Sequence, residues 1–385
     1  MATNYEIKWL TQLNETLPEY LQTLAHPNQI GRFSPCVQGA TKLGKKASLG
    51  FSCFGMKLYY MLGLWQNLTI TEQQTWASLI KSFQVHDNTT ENSVFHHAFI
   101  DPVTTYEAYN YFRHPKQFIR HVLPFVRHPQ QLLKHNTLIN RRGTIIAETK
   151  QAIATLAEVG EYATYPYRGF PSTVNGVKNY LQNLDWTKPW GAGGRSSALV
   201  VFIINESPKF LPQTEVQNLL DVCHQFFESM ADAQTGAYFK GTSPAYGQLI
   251  NGAMKILTAL DWLDEPIHYP ETLIDTCLQQ LPSSSGCHLV DYIYVLYRCL
   301  QQTKYHHADV AQLCLKILDM IKKHYNPDGG FSYYIGQSQK GYYNINISHG
   351  LPESDIHGTI LLTWAVILIL EILEANTFGW QVIKP

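Results

Sequence analysis

"LPESDIHGTILLTWAVILILEIL", residues 351–373, is the stretch that decides the fold. From Ile360 onward almost every position is apolar, and a helix with no polar face belongs inside a protein. Glu371 interrupts the run before it is long enough to span a bilayer. Yet Glu353, Asp355 and His357 stand at its first turn. A buried helix that opens on acid and imidazole needs a polar place to start.

The same pattern recurs along the chain: a loop with Gly, Ser or Pro, a polar turn, then a very apolar helix. It appears at 45–65 ("KKASLGFSCFGMKLYYMLGLW"), 141–160, 190–205 ("WGAGGRSSALVVFIIN"), 246–263, 286–300 and 354–373. Between these lie amphipathic stretches, such as 213–230 and 307–325, whose apolar spacing marks one wet face. Strand signals are weak throughout. Six buried helices alternating with amphipathic ones predict an all-α fold, an (α/α)6 barrel or toroid with inner and outer rings. Without a Ser/Gly linker the expectation is one toroid domain over 1–385, with 66–140 as an outer helix plus a long excursion. The inner first turns would then share one mouth, gathering Glu148, Lys150, Arg195, Ser196, Gln248, Asn251, Cys287, Asp291, Asp355 and His357. Helix N-termini favour anions there.

Charged residues are only 15% of the 385, while aromatics reach 12%, which calls for a thick core or an aromatic-lined cavity. The net charge of −1 and the lack of a basic tract with interleaved aromatics exclude a nucleic-acid partner. Seven Cys, an odd count without a CxxC pair, suit a reducing compartment. The first residues, "MATNYEIKWL", lack the basic-then-apolar pattern of a signal peptide. A cytoplasmic protein, touching a membrane only to collect a lipid, is the resulting expectation.

"NPDGGFSYY" (326–334) resembles the Q-x-x-D-G-G-W/F element of class II terpenoid cyclases of the squalene–hopene and oxidosqualene type, with Asn326 for Gln and Phe331 for Trp. "ESDIHGTILLTWAV" is similar in placement to their acidic motif, D-x-D-D-T-A or V-S-D-C-T-A. Glu353 falls at the first acidic place and Asp355 at the proton-donating Asp, while Ile356 replaces the second Asp or Cys and His357 replaces Thr. The chain has room for one barrel, as in single-domain meroterpenoid cyclases. The resemblance implies a cofactor-free isomerase that protonates a polyprenyl chain, or a prenylated aromatic acid, and folds it through carbocations. It implies Asp355 as general acid, with Glu353, His357 and Cys287 (or His288) tuning or reprotonating it. A desolvated carboxyl at a helix N-terminus has the ingredients for such an acid. Phe54, Trp190, Tyr238, Tyr246 and Tyr292, with Tyr60 and Trp364, would stabilise cations through their ring faces. Arg195 would clamp a substrate carboxylate, with Lys150 as the alternative and Glu148 beside it.

Two other toroid chemistries stay open. Cys287 and Asp291, at i and i+4, with His357 would make a three-ligand zinc site of the protein-prenyltransferase kind. Alternatively, Glu148 and Asp355 would be the carboxylate pair of a carbohydrate-active α/α-barrel hydrolase, or serve a lyase, since Tyr and Trp also stack on sugars.

Overall fold

The computed structural model describes residues 4–86, 93–107 and 137–385. The predicted long excursion falls largely on 87–92 and 108–136, outside the described residues.

Among the described residues, six helices form a closed inner ring: α3 (Leu49–Met61), α6 (Thr137–Glu158), α8 (Pro189–Glu206), α10 (Tyr246–Leu263), α12 (Gly286–Leu300) and α14 (Ile356–Ile372). Each packs on the next in that order, and α14 returns to α3. The outer layer comprises α1 (Asn4–Leu24), α4 (Ile70–Lys81), α7 (Val174–Gln182), α9 (Gln213–Met230), α11 (Pro270–Leu278) and α13 (His307–Lys322). Short helices α2 (Lys42–Lys46) and α5 (Pro102–Thr105) lie in the connections. A two-residue antiparallel pair, Gly341–Tyr342 with Ile345–Asn346, is the sheet present among the described residues. The fold is therefore the all-α, (α/α)6 toroid that the alternation of apolar and amphipathic helices predicts. Among the described residues no helix is long and apolar enough to cross a membrane.

The layering follows from burial. In α14, fourteen of seventeen residues are buried, from Ile356 to Ile372, because it sits between α12, α3 and the outer α13. The outer helices α9 and α13 bury only one stripe, Val216, Leu219, Cys223 and Phe227 in the first and Val310, Cys314, Ile317, Leu318 and Ile321 in the second. One inner helix departs from expectation. The sequence "RRGT" at 141–144 reads as a helix start, but α6 runs straight through it from Thr137. Gly143 costs a helix only about 1 kcal/mol, and a Cβ built on it would meet nothing within 4 Å. Glu148 and Lys150 are therefore in the middle of a helix and not in its first turn.

The DGGF turn and the acidic turn form one clasp that seats α14. Asp328 accepts from Ser354 N (2.9 Å) and from Ser354 Oγ (2.6 Å), and Asn326 Nδ2 also donates to Ser354 Oγ (3.0 Å). Phe331 N donates to Thr359 Oγ1, and Asp355 N returns a bond to Phe331 O. The glycines are required by proximity. Gly329 has φ +94°, a conformation L side chains rarely adopt. A Cβ on Gly330 would lie 2.5 Å from the Tyr20 ring, and one on Gly358 would lie 2.3 Å from Tyr333 N.

Candidate functional site

The ring encloses a cavity of about 720 Å³. First-turn residues Trp190, Gly191, Gln248, Cys287 and His357 line it toward the N-terminal mouth of the inner helices, and Lys57, Met254 and Trp364 line it deeper. Ile383 and Pro385 close its far end. That segment is stitched to the C-terminal ends of the ring: Gln381 N donates to Met61 O, Lys384 Nζ to Asp261 O, and Trp262 Nε1 to Pro385 O (3.1 Å).

The charge of the lining is one-sided. Lys57, Lys150, Lys188, Arg195 and Lys255 all line the cavity, against Asp291 as the single acidic side chain among the described residues. Lys57 is buried and donates to Lys384 O (2.9 Å), and burial lowers its pKa. Lys150 faces the cavity without an acidic partner among the described residues. Burial, then the neighbouring charges of Lys57 and Lys255, push its pKa well below the ordinary lysine value. Lys255 Nζ stands 3.6 Å from Asp291 Oδ1. Asp291 Oδ2 is buried without a hydrogen-bond partner, and desolvation raises this carboxyl's pKa against the pull of Lys255 and His288. Arg195 and Lys188 are exposed at the mouth, the latter within 3.5 Å of Asp185. The positive ends of the inner helices add to the same field.

The walls between these charges are aromatic and aliphatic: Phe54, Trp190, Trp364, Ile146, Val290, Ile360 and Leu361. His357 is stacked between Phe54 (4.8 Å, 5° between planes) and Tyr333 (5.3 Å, 28°). Its Nδ1 lies 2.6 Å from Gln339 Oε1, an oxygen that only accepts, so Nδ1 carries the proton and Nε2 is bare. Burial, then Lys255, depress its pKa to about 4, and the ring is neutral. Burial, then Asp291, push the Cys287 thiol up to about 11, so it stays protonated.

Of the residues singled out from sequence, Phe54, Lys150, Trp190, Arg195, Gln248, Cys287, Asp291, His357 and Trp364 line the cavity together. Glu353, Asp355, Glu148, Tyr238, Tyr246 and Tyr292 are not among its lining residues. Asp355 caps α14: Oδ1 accepts from Gly358 N (2.7 Å), and Oδ2 accepts from Tyr333 N (2.8 Å) and Gln339 N (3.0 Å). Burial raises its pKa to about 6, opposed by those backbone donors. Glu353 holds the loop before α2, accepting from Gln38 N (2.7 Å) and Gly39 N (2.6 Å). Glu148 accepts from Thr104 Oγ1 (2.7 Å) and Asp101 N, at α5. Tyr246 and Tyr292 both donate to Cys277 O, so these two hydroxyls tie inner helices to the outer α11, while Tyr238 bonds His268 between the connections on either side of α10. Among the described residues no three His, Cys, Asp or Glu side chains are grouped to hold a metal. The Asp291 of the imagined zinc trio instead pairs with Lys255.

No protein-family model matches the chain, and no curated protein does. One solved structure is similar over 97% of this chain and 95% of that one, at 14% identity and a TM-score of 0.42. It is a possible member of the GH105 family from Salmonella enterica subsp. enterica serovar Paratyphi A. That neighbour is described as a possible glycosidase-family member and not as a terpenoid cyclase. The cyclase resemblance, the isomerase reading and the polyprenyl cation chemistry hung on Asp355 do not hold, because both Asp355 oxygens accept backbone N–H groups and the residue is not among those lining the cavity. The two motifs that carried the resemblance are accounted for by the clasp at α14, where Asp328 and Asp355 hold backbone.

Lys57, Lys188 and Lys255 escaped the sequence reading. A signal for two of them is present. "CFGMKLYYM" and "GAMKILTAL" each carry a lone Lys within an otherwise apolar inner helix, and a buried ammonium needs a polar hollow to face.

Proposed function

We propose that this chain is a carbohydrate-active α/α-barrel enzyme whose cavity takes a saccharide bearing a carboxylate. The observation that carries the reading is the convergence of five basic side chains and one carboxylate, among the described residues, on an aromatic-walled cavity. A sugar acid matches that combination. Its C–H faces stack on Trp190, Trp364 and Phe54, its hydroxyls reach Gln151, Gln248 and Ser197, and its carboxylate is held by Arg195 and the lysines.

Between the two carbohydrate reactions, elimination is favoured over hydrolysis. Glycoside hydrolysis canonically places two carboxyl side chains across the scissile bond, whereas Asp291 is the one acidic side chain in the lining among the described residues. Elimination next to a sugar carboxylate needs three things. Cations must neutralise the carboxylate so that the neighbouring C–H becomes acidic, a base must take that proton, and an acid must protonate the departing oxygen. Arg195 and Lys255 are placed for the first. Asp291, whose Oδ2 is buried without a hydrogen-bond partner beside the cavity, takes the part of the acid. Two nitrogens whose charge is disfavoured line the same space, Lys150 Nζ and His357 Nε2, and the amine is the stronger base.

A panel of acidic polysaccharides and oligosaccharides tests this by product mass and ultraviolet absorbance. Elimination leaves the summed product mass equal to that of the substrate and creates an absorbing double bond conjugated to the carboxylate. Products heavier by water, without absorbance, would replace elimination with hydrolysis. No turnover of any acidic saccharide would remove the proposal.

A further inference from the structure

Three lysines from three different inner helices meet at this cavity: Lys57 of α3, Lys150 of α6 and Lys255 of α10. Two of them have work to do. Lys57 donates to a backbone carbonyl and Lys255 pairs with Asp291. Lys150 has no hydrogen bond or ion pair of this kind among the described residues. Its other charged or titratable neighbours around the lining, among the described residues, are Lys188, just before α8, Arg195 on α8, Cys287 and Asp291 on α12 and His357 on α14. Glu148, on its own helix, is taken up by Thr104 and Asp101 N at α5. An amine placed among apolar walls and like charges loses its proton readily and keeps its lone pair for chemistry.

We propose that Lys150 is a nucleophilic amine that condenses with the carbonyl carbon of a small anionic aldehyde or keto acid, whose carboxylate is held by Arg195 and Lys255. The Nζ lone pair adds to the carbonyl carbon, and one proton passes from that nitrogen to the oxygen to give a neutral carbinolamine. Asp291 protonates the departing hydroxyl, which leaves as water. The nitrogen gives up its remaining extra proton, which returns Asp291 to its acid form, and an imine is left. Amine and carbonyl compound thus become imine and water, with no oxidant or reductant consumed. This activity goes beyond the saccharide reading and does not depend on it.

Reductive trapping provides the test. The full chain is incubated with glyoxylate near pH 7, imines are reduced with borohydride, and modified lysines are located by peptide mass spectrometry. The expected result is labelling of Lys150 at least about tenfold above any other lysine, because an exposed lysine with a pKa near 10.4 is almost wholly protonated there. Propanal, which lacks the carboxylate, is expected to label Lys150 far less. Labelling spread over exposed lysines, or centred on Lys57 or Lys255, would overturn the proposal, as would an absence of trapping. Lys255→Gln supplies a second reading that keeps Lys150 in place: it weakens the hold on the carboxylate and so the extent of trapping, but the pH of onset reports the amine. Removing that neighbouring charge should shift the onset of trapping at Lys150 to higher pH, and an unmoved onset would contradict the origin assigned to its reactivity. Failure of the saccharide panel with successful trapping would remove the carbohydrate reading alone.

Discussion

Replacing Asp355 by Asn separates a structural cap from a reactive acid through stability alone. The Asp355 carboxyl has a pKa of about 6 in the fold against an ordinary 3.8, because it is buried at 1% exposure. That difference corresponds to about 3 kcal/mol between the two protonation states. The sign follows from proton uptake. A carboxyl whose pKa is raised on folding holds its proton in the native state while the unfolded chain has already released it, so stability falls as pH rises from about 3.8 to about 6 and then levels off. An Asn side chain does not titrate. It keeps one carbonyl oxygen for the paired donors Tyr333 N and Gln339 N and turns its amide toward Gly358 N, losing one cap bond. That loss is a nearly constant cost of about 1 kcal/mol. Subtracting the urea unfolding free energy of the variant from that of the parent, measured from pH 4 to pH 7, cancels every other titrating group. The difference should move by roughly 2–3 kcal/mol in favour of the Asp355→Asn variant across that window. Parallel profiles would refute the burial and bonding assigned to this carboxyl, and a steep change centred below pH 4 would show a carboxylate stabilised by its donors.

Further outcomes follow from the same geometry. Gly358→Ala should destabilise the protein by about 3 kcal/mol in denaturant titrations, because the new methyl group would press on Tyr333 N at the clasp. Lys150→Met should raise the melting temperature near neutral pH. Its pKa is depressed in the fold, so the parent's stability rises with pH toward the ordinary lysine value, and the variant should lack that rise. Arg195→Ala should weaken binding of an acidic oligosaccharide by roughly 10- to 100-fold, the worth of a charge-assisted hydrogen bond of about 1.5–3 kcal/mol, with melting temperature unchanged at this exposed position. Calorimetric titration and thermal melts check these in turn.

The toroid is legible in the sequence because its inner helices are apolar all round and its outer ones are not. "TILLTWAVILILEI" admits no exposed face, while "QTEVQNLLDVCHQFFESM" plainly has one. The weakness of the same signal hides the site. A helix without a polar face has no phase from which to tell which side Lys57 or Lys255 takes, and the ring closure that turns both inward is a long-range property. Asp355 illustrates a second limit. A buried acid opening a helix looks the same in sequence whether its oxygens are free or hold backbone N–H groups, and here Gly358, Tyr333 and Gln339 engage them. The aromatic residues divide by register: Phe54 and Trp190 face the cavity, whereas Tyr246 and Tyr292 turn their hydroxyls to Cys277 O. Nothing local distinguishes the two groups. Arg141-Arg142-Gly143 misleads in another way, since a turn-like tripeptide is tolerated within a helix that tertiary packing extends.

The central claim is that the cationic cavity recognises a carboxylate on a sugar. Calorimetric titration of the full chain with an oligosaccharide of sugar acids, and with the same oligosaccharide after reduction of its carboxyl groups to alcohols, tests it most directly. The acid form should bind, with an affinity that falls as salt is raised, and the reduced form should bind at least about tenfold more weakly, as loss of one charge-assisted contact requires. Equal binding of the two forms, or binding of neither, would contradict the account.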